Sequence, residues 1–255
     1  MQRFSAAALA LLAGAFMTAP HARAQQFNDA QKSEIGKIVH EYLIRNPEVL
    51  REAITELDKR QKAEEAQQRE LAIESVKDQI FNSKHQVVVG NPKGKVTLVE
   101  FFDYNCGYCK KTLDDLAKLT NENPDLRVVL RDFPVLGQGS MEAAQVAMAV
   151  AKQIQGEKFW AFHQTLLGGR GQAGKAQALS AAREAGVDMA RLEKDMKSPD
   201  IREGYAEVMR IADKLSLTGT PSWVVGKEVI VGAVGYSELS NKIANYRKCG
   251  KTSCG

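Results

Sequence analysis

Two cysteines separated by two residues, Cys106 and Cys109, form the most informative motif of the chain. The motif follows an apolar run of strand length and opens a stretch with helical spacing, so Cys106 is expected at a helix N-terminus. The free N–H groups and the dipole there favour the thiolate, which is the nucleophile in disulfide exchange. Because the spacing also lets Cys109 close a small, reducible ring, we predict a redox-active pair with Gly107 and Tyr108 as its intervening dipeptide.

Half a zinc site and an ordinary structural disulfide are the other common roles of such a motif. Zinc would need a second pair of ligands, and the histidines beyond the N-terminal region, His40, His85 and His163, show no ligand spacing. Lys110 follows the motif, where a c-type haem attachment site has histidine. Redox chemistry is therefore preferred, and neither a bound metal nor an organic cofactor is expected.

Cys249 and Cys254 form a second pair at the C-terminal end of the chain. An even cysteine count in an oxidising compartment favours a local structural disulfide. A second redox pair and a Cu(I) site remain alternatives, because soft thiolate ligands suit that ion.

Strand and helix patterns alternate around the first motif. Val96–Phe102 and Leu126–Phe133 are nearly continuous apolar runs, typical of buried strands. The helical pattern of Cys106–Asn121 lies between them, so the order is that of a βαβ unit with a parallel strand pair. Gln86–Val89 is a further β-rich stretch.

The downstream patterns complete an α/β architecture. In order they are a helical block (Ser140–Leu215), a hairpin (Ser222–Gly226 and Glu228–Val234, turning at Gly226–Lys227) and a final helix (Tyr236–Lys248). A βαβ half and a ββα half separated by helices describe a thioredoxin fold with an inserted helical domain. We expect this domain over residues 81–255, with the insertion at about 138–215.

The first 24 residues have the three-part pattern of a secretory signal peptide. Arg3 is followed by an apolar run, Ala6–Met17, and by a small-x-small cleavage signal, Ala22–Ala24. We predict cleavage after Ala24 and export into a compartment where disulfides persist. An uncleaved membrane anchor is the alternative, although the apolar run is too short to span a bilayer comfortably.

The spacing of apolar residues over 25–57 predicts two short amphipathic helices. Asn28 or Asp29 caps the first helix, and Asn46–Pro47 begins the second. Their apolar positions, called here the N-terminal stripe, are Ile35, Ile38, Val39, Tyr42, Leu43, Leu50, Ile54 and Leu57. Two short helices cannot bury such a stripe by themselves. It must therefore pack against another copy of the chain or against the chain's own main domain. The polar residues that follow predict a solvated helical linker over 58–80.

Composition excludes several classes of protein. Hydrophobic residues make up 44% and charged residues 26% of the 255 residues, so the chain is neither disordered nor collagen-like. The net charge of +4 combines 35 basic with 31 acidic residues, without a concentrated basic patch. Nucleic acid is therefore not an expected partner.

The segments Glu100–Cys109 (EFFDYNCGYC) and Gly219–Trp223 (GTPSW) together resemble the periplasmic thiol–disulfide oxidoreductases of the DsbA family. The resemblance covers roughly Val87–Lys248. It implies a cis Thr220–Pro221 bond that faces the cysteine pair, with the Thr220 backbone free to pair with a substrate strand. It also implies that Glu100 assists proton transfer at the buried cysteine. A plain strand-entry turn at Thr220–Pro221 and a solvated strand-face glutamate are the alternatives.

Two details narrow the resemblance. The Gly107–Tyr108 dipeptide and a threonine before the proline are similar to disulfide isomerases of the DsbC type. The N-terminal helices resemble the oligomerisation segment of ScsC-like proteins, which are suppressors of copper sensitivity. This second resemblance implies a homotrimer, with a dimer as the alternative.

These observations predict an exported disulfide isomerase or reductase that acts on exported proteins containing disulfides. A membrane redox partner would reset its cysteine pair. Two alternatives are a monomeric dithiol oxidase and a copper-tolerance protein that binds Cu(I) through Cys106 and Cys109 without turnover.

Overall fold

The computed structural model describes residues 27–254. The chain divides between Asp58 and Lys59 into two units. The predicted signal peptide, residues 1–24, lies outside the described residues. Within residues 27–254, no helix has both the length and the apolar character that crossing a membrane requires.

The N-terminal unit contains helix α1 (Asp29–Arg45) and the start of helix α2 (Pro47–Ser75). Asn28 caps α1 in a capping box, in which the Asn28 and Gln31 side chains each accept a hydrogen bond from the other's backbone N–H. The N-terminal stripe is exposed in the single chain except for Leu43, which is half-buried. Because α2 continues to Ser75, the polar residues after position 57 form helix. The prediction of a solvated linker over 58–80 is wrong for its last part, because Ile73 and Ile80 are fully buried in an apolar core.

The second unit is built on one five-stranded sheet in the order β1-β3-β2-β4-β5. The strands are β1 (Val87–Gly90), β2 (Val96–Phe102), β3 (Leu126–Asp132), β4 (Ser222–Val225) and β5 (Glu228–Val231). Strands β2 and β3 pair in parallel, and the other neighbours are antiparallel. The predicted βαβ and ββα halves therefore share one sheet, with β2 at its centre.

Helices cover the sheet and fill the insertion. They are α3 (Lys77–Phe81), α4 (Gly107–Glu122), α5 (Gln138–Val150), α6 (Glu157–Gly168), α7 (Lys175–Glu184), α8 (Met189–Asp195), α9 (Pro199–Lys214) and α10 (Tyr236–Cys249). The helices α5 to α9 lie between β3 and β4 in the chain, where the sequence predicts the insertion. Ser198 caps α9 and Pro199 occupies its first turn, which explains why the helical pattern breaks there.

Several predicted strand boundaries are wrong: β1 is shifted by one residue, β3 and β4 each end one residue earlier, and β5 ends three residues earlier. Strand β5 ends at Val231 rather than Val234, because Gly232 has φ +91° and its N–H donates to the Pro221 carbonyl oxygen at 2.9 Å. Strand β1 covers Val87–Gly90 and therefore begins one residue later than predicted. The predicted hairpin turn is correct, with Gly226 at φ +57°.

Alternation along β2 determines which residues face the cysteine pair. Leu98 and Phe102 belong to the apolar core that contains Cys109, whereas Val99 and Phe101 belong to the core on the opposite face of the sheet. Since side chains on a strand alternate between faces, Glu100 points to the same side as Leu98 and Phe102. The central strand thus places a carboxylate toward the cysteines.

Candidate active site

Cys106 is the N-cap residue of α4, with extended backbone angles (φ −76°, ψ 114°). Its sulfur accepts a hydrogen bond from the Cys109 N–H at 3.3 Å. This bond satisfies one of the unpaired donors at the helix N-terminus. The helix start predicted at the motif is confirmed, and both cysteines are free.

The Thr220–Pro221 peptide bond is cis, as the family resemblance implies. The Thr220 carbonyl oxygen accepts a hydrogen bond from the Cys106 thiol at 3.1 Å. The Ser222 hydroxyl donates to the Gly219 carbonyl oxygen at 2.7 Å, and this contact fixes the loop at the start of β4. Cys106 and Thr220, which are 114 positions apart in the chain, are therefore in direct contact at the Cys106 sulfur.

Exposure differs sharply across the motif. Gly107 is exposed and the Tyr108 side chain is 63% exposed, whereas Cys106 is 4% and Cys109 0% exposed. Burial raises the pKa of the Cys109 thiol far above its usual value, and the negative charge of Glu100 adds to this increase. Both cysteines are therefore buried, and Cys106 retains only a small exposed fraction next to the exposed Gly107 and Tyr108.

Glu100 is 2% exposed, so the alternative of a solvated strand face is wrong. Burial raises the pKa of its carboxyl group to about 8. A carboxyl group with this pKa exchanges its proton near neutral pH. Together with its influence on Cys109, this pKa fits the proton-transfer role implied by the family resemblance.

Asp103 is a buried residue of the site that the sequence reasoning missed. Its carboxylate accepts hydrogen bonds from the backbone N–H groups of Asn105, Val135 and Leu136 and from the Ser140 hydroxyl, at 2.7–2.9 Å. An Asp whose side chain bonds to the backbone two residues later is a recognised turn pattern. The Asp103–Asn105 spacing was therefore a usable local signal.

Asp132, at the end of β3, is a second buried carboxyl group that the sequence reasoning missed. Burial and the negative charge of Asp103 raise its pKa to about 8. Its Oδ1 atom has no hydrogen-bond partner. Three carboxyl groups, those of Glu100, Asp103 and Asp132, thus lie at or beside the carboxyl ends of the parallel strands.

Cys249 and Cys254 form a disulfide with an S–S distance of 2.10 Å, which is the predicted pairing. Cys249 is the last residue of α10. The bond therefore joins the C-terminal residues to the end of that helix.

One group of side chains has the composition of a metal site, although the sequence shows no metal-ligand spacing. His85, Asp200 and Glu203 have ligand atoms within 4.8 Å of one another. Lys84 pairs with both carboxylates at 3.2 and 3.4 Å, and Lys152 pairs with Asp200 at 3.0 Å. Since lysines already neutralise these carboxylates, the group is an ion-pair cluster.

Comparisons with known proteins agree with the fold. The DSBA-like thioredoxin domain family matches residues 97–244, and the copper resistance protein ScsC N-terminal domain matches residues 31–64. A thioredoxin-like oxidoreductase from Silicibacter pomeroyi DSS-3 is 41% identical with a TM-score of 0.63, covering 68% of this chain and 98% of its own. A linker-deletion mutant of Proteus mirabilis ScsC is 27% identical with a TM-score of 0.65, covering 89% of this chain and 99% of its own.

Curated relatives give a similar result. The probable disulfide bond formation protein D of Bacillus cereus is 27% identical, covering 57% of this chain and 72% of that protein. The chain also matches Na(+)/H(+) antiporters NhaA of Salinispora arenicola and Salinispora tropica, but it spans only 24% and 21% of their lengths.

Proposed function

The chain belongs to the family of DsbA-like thioredoxin domains and carries an ScsC-type N-terminal segment, and from this premise we propose that it is a disulfide isomerase or reductase of exported proteins. One observation carries the proposal. The Cys106 sulfur caps α4 and contacts the Thr220 carbonyl oxygen at 3.1 Å, and Cys109 is buried in the first turn of the same helix.

The reaction begins when the Cys106 thiolate attacks one sulfur of a substrate disulfide. The other substrate sulfur leaves as a thiolate, and a mixed disulfide forms. If Cys109 loses its proton and attacks the Cys106 sulfur, the substrate is released reduced and the pair becomes a disulfide. If a different substrate thiolate attacks first, the substrate leaves with a rearranged disulfide and the pair stays reduced.

Substrate would bind beside Cys106 along the loop that contains Thr220 and Pro221. Both edges of β4 are already paired, with β2 and β5, so an extended substrate segment would pair with the half-exposed Thr220 backbone just before this strand. Backbone pairing of this kind selects no particular sequence. It therefore suits an enzyme that acts on many misfolded chains.

Assembly through the N-terminal stripe is part of the proposal. Exposed apolar side chains of this number are unusual on a monomer and are typical of an interaction surface. A homotrimer, or a dimer, would hold one substrate near several cysteine pairs and raise their effective concentration. The proposal assigns the assembly to residues 25–57, the linker to 58–80 and catalysis to 81–255.

Export to the periplasm, cleavage after Ala24 and a membrane redox partner that resets the cysteine pair complete the proposal. A monomeric oxidase is the rival within the same chemistry. Cu(I) bound by Cys106 and Cys109 is the other rival, since one of the matching families is described as a copper resistance protein.

The test compares the wild type with an Ile38→Lys/Ile54→Lys variant, whose charges fall on the N-terminal stripe. The control is Gln67→Lys/Gln68→Lys, which adds the same charge to exposed polar positions of α2. Light scattering, copper analysis and refolding of a scrambled disulfide protein are measured for each. We expect only the stripe variant to become monomeric and to lose most isomerase activity while still reacting with small disulfides.

Three results would contradict parts of this proposal. If the wild type is already monomeric, the chain does not assemble through the N-terminal stripe. If a monomeric variant isomerises as well as the wild type, assembly is not needed for isomerisation. Stoichiometric copper without any disulfide exchange would favour the metal-binding rival.

A further inference from the structure

The carboxylate of Asp103 connects three segments that meet behind the cysteine pair. One oxygen accepts from the Asn105 N–H and the Ser140 hydroxyl, both at 2.7 Å. The other accepts from the N–H groups of Val135 and Leu136 at 2.8 and 2.9 Å. Asp103 is 1% exposed, so little water can replace these bonds. Hydrogen bonds to a buried charge are among the stronger ones in a protein.

The backbone of Asp103 contacts both cysteines. Its carbonyl oxygen accepts the Cys106 N–H at 3.0 Å. A hydrogen bond between its backbone and Cys109 lowers the pKa of the Cys109 thiol, against the larger effect of burial. Any shift of the Asp103 main chain therefore moves the surroundings of both sulfur atoms.

The same network joins the cysteine loop to the helical insertion. Ser140 lies in the first turn of α5, and the Asn105 amide donates to its hydroxyl at 3.0 Å. Asn105 also exchanges two hydrogen bonds with the backbone of Ala173, at 2.7 and 2.8 Å. At Gly139 a Cβ atom would lie 2.9 Å from the Ala173 carbonyl oxygen, so the segments are closely packed.

We propose that Asp103 is a positioning residue, which fixes the cysteine loop against the helical insertion and thereby favours the dithiol over the disulfide. This inference rests on the proposed function. The four bonds hold the loop while both cysteines are free. Disulfide formation requires the two sulfurs to approach to about 2.05 Å. The loop held in this arrangement keeps the Cys109 N–H on the Cys106 sulfur at 3.3 Å, and this hydrogen bond stabilises the reduced pair, so loosening the loop favours the disulfide.

The experiment measures the equilibrium constant of the Cys106–Cys109 pair against glutathione in the full-length protein. Asp103→Asn replaces one acceptor oxygen with an NH₂ group that faces N–H donors. Ser140→Ala removes the hydroxyl that donates to Asp103 and accepts from the Asn105 amide, and it leaves the Asp103 charge in place. We expect at least a threefold shift toward the disulfide for Asp103→Asn, and a smaller shift in the same direction for Ser140→Ala.

Two controls separate positioning from other effects. Asp114→Asn removes a similar charge from an exposed position of α4. Ile211→Ala opens a cavity in the core on the opposite face of the sheet and lowers stability without touching the network. Both variants should have the same equilibrium constant against glutathione as the wild type.

The inference is overturned if Asp103→Asn and Ser140→Ala have the same equilibrium constant against glutathione as the wild type. It is equally overturned if Ile211→Ala shifts the equilibrium as much as Asp103→Asn does, because loss of stability would then explain the effect. Should Asp103→Asn fail to fold, Ser140→Ala alone decides between these results. A wild-type pair that does not exchange with glutathione contradicts the proposed function itself, which distinguishes the two failures.

Discussion

The two sulfurs of the motif lie in different surroundings although two residues separate them. Cys106 caps a helix and contacts the Thr220 carbonyl oxygen, while Cys109 is buried and burial raises the pKa of its thiol. Cys109 can therefore act only when a nearby group accepts its proton. Glu100, with a pKa of about 8, is the carboxyl group suited to that transfer.

Replacing Glu100 with Gln should slow resolution of a mixed disulfide by about 100-fold or more, in line with typical general-base effects. In the wild type the resolution rate should rise as pH increases through about 8, because Glu100 loses its proton there and becomes a base. Gln cannot accept a proton, so the variant should lack this rise. The measurement is release of glutathione from a mixed disulfide formed beforehand at Cys106.

Glu193→Gln, on the exposed side of α8, is the control and should keep the wild-type pH profile. If Glu100→Gln also keeps that profile, Glu100 has no part in the proton transfer.

At the scale of elements, the β4–β5 hairpin holds the Thr220–Pro221 loop opposite α4. Strand β4 pairs with the central strand β2, and Gly232 just after β5 donates to the Pro221 carbonyl oxygen. The turn of the hairpin packs against α10, because a Cβ atom added at Gly226 would overlap the Tyr246 ring. Displacing this turn should therefore disturb the side of the site formed by that loop.

Gly226→Ala should lower the free energy of unfolding by about 2–4 kcal/mol, combining an unfavourable φ with a clash in a packed region. Gly232→Ala is the matched control, since Gly232 also has positive φ but no atom within 4 Å of its added Cβ. Gly232→Ala should lower the free energy of unfolding by only about 1 kcal/mol. Urea denaturation measures both, and equal losses would show that packing against Tyr246 is unimportant.

Helix α10 ends in the Cys249–Cys254 disulfide, which closes a loop with a sequence separation of 5 residues. Chain entropy for so short a loop stabilises the protein by only about 2 kcal/mol. A Cys249→Ser/Cys254→Ser variant should lose at most that amount and should keep the wild-type glutathione equilibrium of the other pair. A changed equilibrium would instead support the alternative of a second redox pair.

The strands and the helix that present the motif could be predicted because continuous apolar runs and helical spacing are local signals. The position of Glu100 beside the cysteines follows from strand alternation in the same way. The Asp103–Ser140 and Asn105–Ala173 bonds could not be predicted, since they join residues 37 and 68 positions apart. The proximity of His85 and Asp200 could not be predicted for the same reason, because only the packing of α9 brings these two residues together.

At the scale of the whole molecule, catalysis and assembly are assigned to different parts of the chain. The second unit has its own sheet and two buried cores, whereas α1 has no buried residue. Under this account the cysteine chemistry needs only one chain, and rearrangement of a bound substrate needs several. Both processes begin when the Cys106 sulfur attacks a substrate disulfide.

Trapping the mixed disulfide tests this claim most directly. Full-length Cys109→Ser is incubated with a scrambled disulfide protein, and the products are mapped by mass spectrometry, with Cys106→Ser as the matched control. We expect Cys109→Ser to accumulate a covalent adduct through Cys106 and Cys106→Ser to accumulate none. Absence of an adduct in Cys109→Ser, or equal amounts in both variants, would contradict it.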